Sequence, residues 1–270
     1  MPPAATDESA PTRVAYASAD GLGRLRLVAG DRRNAIDQRW VDELTAAVDL
    51  VEADGDLRAL LVDADGVAFC VGGDLAYIGG RADRLSATLD EMIGGFHAAL
   101  GRLAEIDVPV VCAVQGGAAG GGLGLLWIAD IVVAADDLRL ATGFDTLGLS
   151  GDGNASWWLP RLIGLRRAQH LLLEGPVLDA ATAAEWGLVT RVVARDELGA
   201  HAEETARRLA AGPTRGLGRI RRMLRTAGDV DVHERLAGEH ASMIELGATD
   251  DAREGITAFV ERRRPTFHGR

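Results

Sequence analysis

The chain has 270 residues, 47% of them apolar, and a formal net charge of −11. This length allows one large domain with a sizeable core, and the composition excludes a disordered chain. The acidic balance argues against nucleic acid as a partner, although a few arginines and free backbone N–H groups still suit an anionic small molecule.

The opening MPPAATDESAPTR lacks the apolar run of a secretory signal, and residues 1–12 read as a frayed tail. RVAYASADGLGRLRLVA reads as two strands around a turn at Asp20 and Gly21. In NAIDQRWVDELTAAVDLVEAD the residues Ile36, Trp40, Leu44, Ala47, Val48 and Val51 recur at helical spacing. LRALLVDAD is a short continuous apolar run, the pattern of a buried strand. EMIGGFHAALGRLAEID reads as a second helix that stops near Pro109. VPVVCAVQG is another buried strand, and a glycine turn and a helix follow it. IVVAADDLRLAT adds strand, and ATAAEWGLVTRVVA reads as helix, glycine and strand. This alternation through about residue 196 indicates an α/β layered domain over residues 13–196. From residue 197 the pattern changes: ELGAHAEETARRLAAG, TRGLGRIRRMLRTA, VHERLAGEHASMIELGA and DDAREGITAFVERRRP all read as helices. Such an end is either a cap on the core or an oligomerisation element. The most apolar stretch, residues 123–135, is interrupted by Asp130 and is too short to span a bilayer, so no membrane partner is expected. Cys70 and Cys112 fit neither a CxxC nor a metal-ligand spacing, which suits a reducing cytoplasm without disulfides.

The common catalytic signatures are missing. No P-loop and no HExxH occurs, GAAGGGLG does not match GxGxxG, and GLSGDG lacks the GxSxG spacing. His233 and His240, seven apart on a helix, read as surface or packing residues, so no metal site is expected. Two glycine turns share one context. LLVDADGVAFCVGGDL and VVCAVQGGAAGGGLGLL each run from a buried strand into glycines. Facing one another, they would aim two N–H groups at one oxygen, an oxyanion hole. Tight packing of glycine-bearing backbone explains the same residues equally well.

AFCVGGDL followed by PVVCAVQGGAAGGGLGLLWIADIVVAA resembles the enoyl-CoA hydratase/isomerase (crotonase) family. The resemblance continues through NAID, GLSGDGNASWWLPRLIGLRRAQHLLL, AAEWGLVTRVV and EGITAFVERRRPTFHG, and covers about residues 13–268. It implies an α/β spiral of repeated β-β-α units, with a helical region over residues 197–270 that builds homotrimers, often paired into hexamers. It implies an acyl-CoA thioester as substrate and no separate cofactor. By position, the thioester oxygen would rest on the N–H groups of Gly73 and Gly121, with Gly73, Asp74, Leu75 and Ala76 lining the binding site. Arg33, Phe259 and Arg262 would contact the CoA moiety, although both arginines also read as solvated surface charges.

The resemblance is incomplete at the acid and base. Family hydratases carry two glutamates, and here the matching positions hold Gly124 and Phe144. Two-glutamate hydration is therefore not expected, since adding water needs a group to activate it and one to deliver the proton. Asp152, four residues after Gly148, resembles the aspartate of family isomerases with a GLxPDxG pattern, except that Gly151 replaces the proline. Asp-Gly sequences also place an aspartate in a turn that bonds its own backbone. Asp145 is the other carboxylate nearby. His97, twelve residues before Pro109, matches a histidine of the family's aryl-CoA dehalogenases, where an aspartate attacks the ring and the histidine activates water. Those enzymes carry a tryptophan where this chain has Phe144. The leading expectation is an enoyl-CoA isomerase with Asp152, Gly73 and Gly121 as its machinery and Phe144, His97 and Trp157 shaping the acyl pocket. The alternatives are dehalogenation or thioester hydrolysis through Asp152 and His97, and acyl-CoA binding without turnover.

Overall fold

The computed structural model describes residues 11–270, so most of the expected tail at 1–12 lies outside the described residues. Strands β1 (Val14–Ala19) and β2 (Leu22–Leu27) pair antiparallel across Asp20 and Gly21. Both turn residues take positive φ, 53° and 77°, as a two-residue hairpin turn demands. Helix α1 (Gln38–Ala53) starts at Asp37, whose carboxylate accepts the Trp40 N–H at 3.0 Å. Then come β3 (Ala59–Ala64), α2 (Leu75–Gly79), α3 (Leu85–Glu105), β4 (Val110–Val114) and β5 (Gly117–Ala119). A 3-10 turn at Gly120–Leu123 leads into α4 (Gly124–Trp127), followed by β6 (Ile131–Ala135), β7 (Arg139–Ala141) and α5 (Ala155–Leu173). The chain continues through β8 (Leu178–Asp179), α6 (Ala180–Trp186), β9 (Arg191–Val193), α7 (Leu198–Ala210), α8 (Thr214–Arg225), α9 (Val232–Gly247) and α10 (Asp250–Glu261).

The strands form two sheets, ordered β1-β2-β3-β4-β6-β9 and β5-β7-β8. From β2 onward the larger sheet is parallel, with Leu60 opposite Val110 and Val111 opposite Ile131. Successive units step along both sheets together. After β3 the chain bridges at Cys70 to Ala118 of β5, and β5 pairs parallel with β7, the second strand of the next unit. This stepping is the β-β-α spiral.

Strands β3, β4 and β6 are buried on both faces of the large sheet, which is why they read as nearly unbroken apolar runs. Leu60, Val62, Val110, Cys112, Val114 and Val132 face the main core with α1 and α3. Ala59, Leu61, Val111, Ala113 and Val133 face a second cluster built with Leu198, Ala202, Ala206 and Ala210 of α7. The first helix of the region from 197 onward is thus a cap on the sheet. Helix α9 differs: Ser242 is its one buried residue.

Two segments depart from the expected elements. The glycine-rich stretch gives only a three-residue strand, one 3-10 turn and one turn of α-helix, because consecutive glycines do not sustain a longer helix. Helix α5 carries Pro160 and a non-helical Gly164 (φ 76°), breakers that hide two merged helices from periodicity. Among the described residues no helix is long and apolar enough to cross a membrane.

Candidate active site

The two glycine turns meet at the carboxyl ends of β3 and β4. The Ala119 N–H donates to the Cys70 carbonyl at 2.8 Å. Gly72 has φ +82°, and a Cβ there would stand 3.0 Å from the Ala119 carbonyl oxygen and 3.2 Å from Gly120 Cα. Only glycine allows both that conformation and that approach. Gly73 bridges Ile36: the Ile36 N–H donates to the Gly72 carbonyl at 2.8 Å and the Asp74 N–H to the Ile36 carbonyl at 2.7 Å. That pattern leaves the Gly73 N–H without a partner among the described residues. Gly121 lies in the opening of the 3-10 turn, where N–H groups have no partner within the helix.

Asp152 is brought to this point by its neighbour. Gly153 has φ +60°, and a Cβ on it would lie 2.8 Å from the Gly121 carbonyl oxygen and 3.1 Å from Gly124 Cα. The Asp152 loop therefore lies directly on the 3-10 turn. Asp152 Oδ2 stands 2.7 Å from where a Cβ on Gly121 would be, with Phe96 Cε1 at 3.4 Å. The other oxygen is engaged by α3: His97 Nε2 and Asp152 Oδ1 share a hydrogen bond of 2.5 Å. With the carboxylate ionised, Nε2–H is the donor. The His97 side chain is 48% exposed and that of Asp152 22%. Among the described residues no N–H from its own turn bonds this carboxylate, so it is not occupied as a turn-forming aspartate.

At the two hydratase positions the structure places apolar packing. A Cβ on Gly124 would meet Leu100 Cδ1 at 2.5 Å and the Gly153 backbone at 3.1 Å. Phe144 is buried at 8% exposure. Asp145 turns elsewhere: its carboxylate fills the space beside Gly175, 2.5 Å from a Cβ placed there.

The remaining expected residues separate into two groups. Asp74 caps α2, accepting from the Ala76 and Tyr77 N–H groups at 3.0 and 2.9 Å and from Arg32 at 2.6 Å. Its charge is thus spent on structure, while Leu75 and Ala76 beside it are exposed. Arg33 adjoins the same turn, since its carbonyl accepts the Val71 N–H at 3.3 Å. Its exposed guanidinium has no ion pair among the described residues. Trp157 packs edge-to-face on Trp158 and under the Arg161 guanidinium, 3.8 Å from the ring centre. Its adjacent position on α5 makes these its natural partners. Phe259 (85% exposed) and Arg262 sit at the end of α10. The first turn of α10 is tied through Asp251 to residues 268–270, and Arg58, just before β3, holds the Phe267 carbonyl. That anchorage is at the opposite end of the strand from the glycine turns, and no hydrogen bond or ion pair among the described residues joins Phe259 or Arg262 to them.

A cavity of about 250 Å³ adjoins the pair, lined by His97, Leu100, Gly101, Ala104, Ile128 and Asn154. A second depression of about 310 Å³ lies near Glu52 and Arg102, which are ion-paired, and is remote from the glycine turns. Among the described residues no group of three or more His, Cys, Asp or Glu is placed to hold a metal ion. Gly153, Leu100 and Phe96 were not anticipated as site residues. Gly153 was signalled only by the run GDGN, and Leu100 and Phe96 by their spacing around His97 on one helix.

Residues 18–270 match the family model described as enoyl-CoA hydratase/isomerase. The chain is 35% identical over 254 residues to 1,2-epoxyphenylacetyl-CoA isomerase of Escherichia coli, covering 93% of this chain and 96% of that one. It is 32% identical over 196 residues to 4-chlorobenzoyl coenzyme A dehalogenase-2 of an Arthrobacter species, covering 72% and 71%. An enoyl-CoA hydratase structure from Polaromonas sp. JS666 superimposes with a TM-score of 0.88 at 27% identity, covering 94% and 99%.

Proposed function

The chain belongs to the enoyl-CoA hydratase/isomerase family, and from that premise we propose that it is an acyl-CoA isomerase that shifts a double bond by proton transfer through Asp152. The observation that carries this reading is the placement of Asp152 Oδ2 against Gly121, with Oδ1 held by His97 and the space at Gly124 filled by Leu100. One carboxylate serves both halves of an isomerisation, whereas hydration through two glutamates lacks both here.

The thioester oxygen rests on the Gly73 and Gly121 N–H groups, which stabilise the enolate as charge develops. Asp152 takes a proton from the α or γ carbon, the double bond moves, and the same carboxyl returns the proton at the other carbon. His97 fixes the carboxylate so that Oδ2 faces the acyl chain. The net change is redox neutral and needs no cofactor. Phe144 and Phe96 supply apolar wall. Arg33 offers its free charge to CoA phosphate, and in a homotrimer or hexamer Arg262 does so to the CoA of a neighbouring copy, with the exposed Phe259 ring against its adenine. The unpaired thiols of Cys70 and Cys112 fit the cytoplasm as its compartment.

Incubation with a 3-enoyl-CoA tests this: absorbance of the conjugated thioester should rise, and its absence at every chain length would overturn the proposal. One observation favours a second reading. The pairing of Asp152 with a half-exposed His97 also suits attack by Oδ2 on an aryl carbon bearing halogen, loss of halide, and hydrolysis of the ester by water that His97 activates. A covalent adduct on Asp152, found by mass spectrometry after reaction with a haloaryl-CoA, would establish it.

A further inference from the structure

We infer that Arg221 of α8, which touches neither Asp152 nor His97, is a positioning residue for that pair. Its guanidinium is buried at 7% exposure and binds five acceptors. Nη1 donates to the Ala104 and Ile106 carbonyls, both at 2.7 Å, and Nη2 to Leu103 at 3.4 Å and Ile128 at 3.2 Å. Nε donates to Asp130 Oδ2 at 2.7 Å, an oxygen that also accepts the Val110 N–H at 2.7 Å. One side chain thereby joins the end of α3, the end of α4 and the start of β4. A cation at helix carboxyl ends is favourable, and only a planar fork reaches this many acceptors at once.

The cavity explains why this junction matters. Ala104 and Ile128, two of its lining residues, are the two helix ends that Arg221 ties together. Between them lie about 250 Å³ and the small residues Gly101 and Ala104 rather than interlocking side chains. The next contact toward the site is Leu100 against Gly124 and Gly153. On its face toward α4, helix α3 is thus held at Leu100 and at the Arg221 end with a gap between, while its other face packs along α1 through Phe96 on Trp40 and the buried Ala99 and Leu103. His97 lies three residues before Leu100 and Ala104 four residues after it, lever arms of roughly 4.5 and 6 Å. A shift of about 1 Å at Ala104 would swing His97 by about 0.8 Å the other way. Directed along the 2.5 Å bond to Asp152, that lengthens it to about 3.3 Å, just past the usual hydrogen-bond range.

The kinetic consequence rests on the proton-transfer reading, whereas the spectroscopic one does not. The test is Arg221→Met and Arg221→Lys in the full chain, with folding checked by circular dichroism. Nitrogen-15 NMR reads His97 Nε2, identified by its change in Asp152→Asn. In Arg221→Met the His97 signal should move toward its position in Asp152→Asn, and kcat on a 3-enoyl-CoA should fall roughly tenfold or more with KM nearly unchanged. Arg221→Lys, with one nitrogen for three, should fall between and carries the test where the Met variant does not fold. A folded variant with the wild-type His97 signal would overturn the inference, whatever its melting temperature. If the wild-type protein does not isomerise any 3-enoyl-CoA, the proton-transfer reading fails and the NMR signal alone decides the role of Arg221.

Discussion

Replacing Gly153 with alanine tests how Asp152 is placed without touching a group that reacts. The residue has φ +60°, which costs an alanine about 1–2 kcal/mol. Its Cβ would stand 2.8 Å from the Gly121 carbonyl oxygen, and ordinary contact begins near 3.4 Å. The loop must therefore retreat by about 0.6 Å from a backbone that cannot yield, an overpacking cost of about 1–3 kcal/mol. Together these give a loss of roughly 2–5 kcal/mol, or about 5–15 °C in melting temperature at fixed protein concentration. Asp152, one residue away, moves with the loop, and kcat should fall by roughly tenfold or more. Gly151→Ala is the matched control: its φ is not positive, and its Cβ would meet only Leu172 at 3.4 Å and Ala155 at 3.8 Å. Thermal melts and 3-enoyl-CoA kinetics of the two variants decide the matter. A Gly153→Ala protein that melts and turns over like Gly151→Ala would refute the placement.

Three further outcomes are expected. Gly124→Glu should not create a hydratase, because Leu100 and the Gly153 backbone fill the space; water addition to a 2-enoyl-CoA by this variant would contradict that packing. The Glu254 carboxyl, bonded by Arg263 and the Thr266 N–H, is held down at about 2. Its folded value lies below its unfolded one, so its support for residues 263–266 is complete above about 4.5 and is lost as pH falls toward 2. Exchange of the Thr266 amide should accelerate across that window, and Glu254→Gln should abolish the dependence. Burial pushes the Cys70 thiol up to about 12, so iodoacetamide at neutral pH should label it only after unfolding; rapid labelling of the native protein would show an opening at the Gly122 contact.

Much of the spiral was legible because its signals are local. Asp20 and Gly21 announce the hairpin, and two-sided burial writes β3, β4 and β6 as unbroken apolar runs. What stayed hidden depends on distant partners. The breakers Pro160 and Gly164 masked α5. The family resemblance singled out Asp152 and set it beside His97 in one alternative, but the hydrogen bond between them, fifty-five positions apart, is visible only in the fold. Nor could spacing show that Gly153 lets one loop rest on the Gly121 turn, or that Trp157 would take Arg161 as its partner. Arg221 lay in an arginine-rich helix where nothing distinguished a buried clamp from surface charge.

The central claim is that Asp152 carries the proton. The direct measurement is kcat of wild type and Asp152→Asn on one 3-enoyl-CoA, beside the equilibrium dissociation constant of each for that thioester. The asparagine keeps the shape and accepts from His97 but cannot take the proton. It should lower kcat by about a hundredfold or more while the dissociation constant stays within a few-fold. Equal turnover by the two proteins would contradict the account.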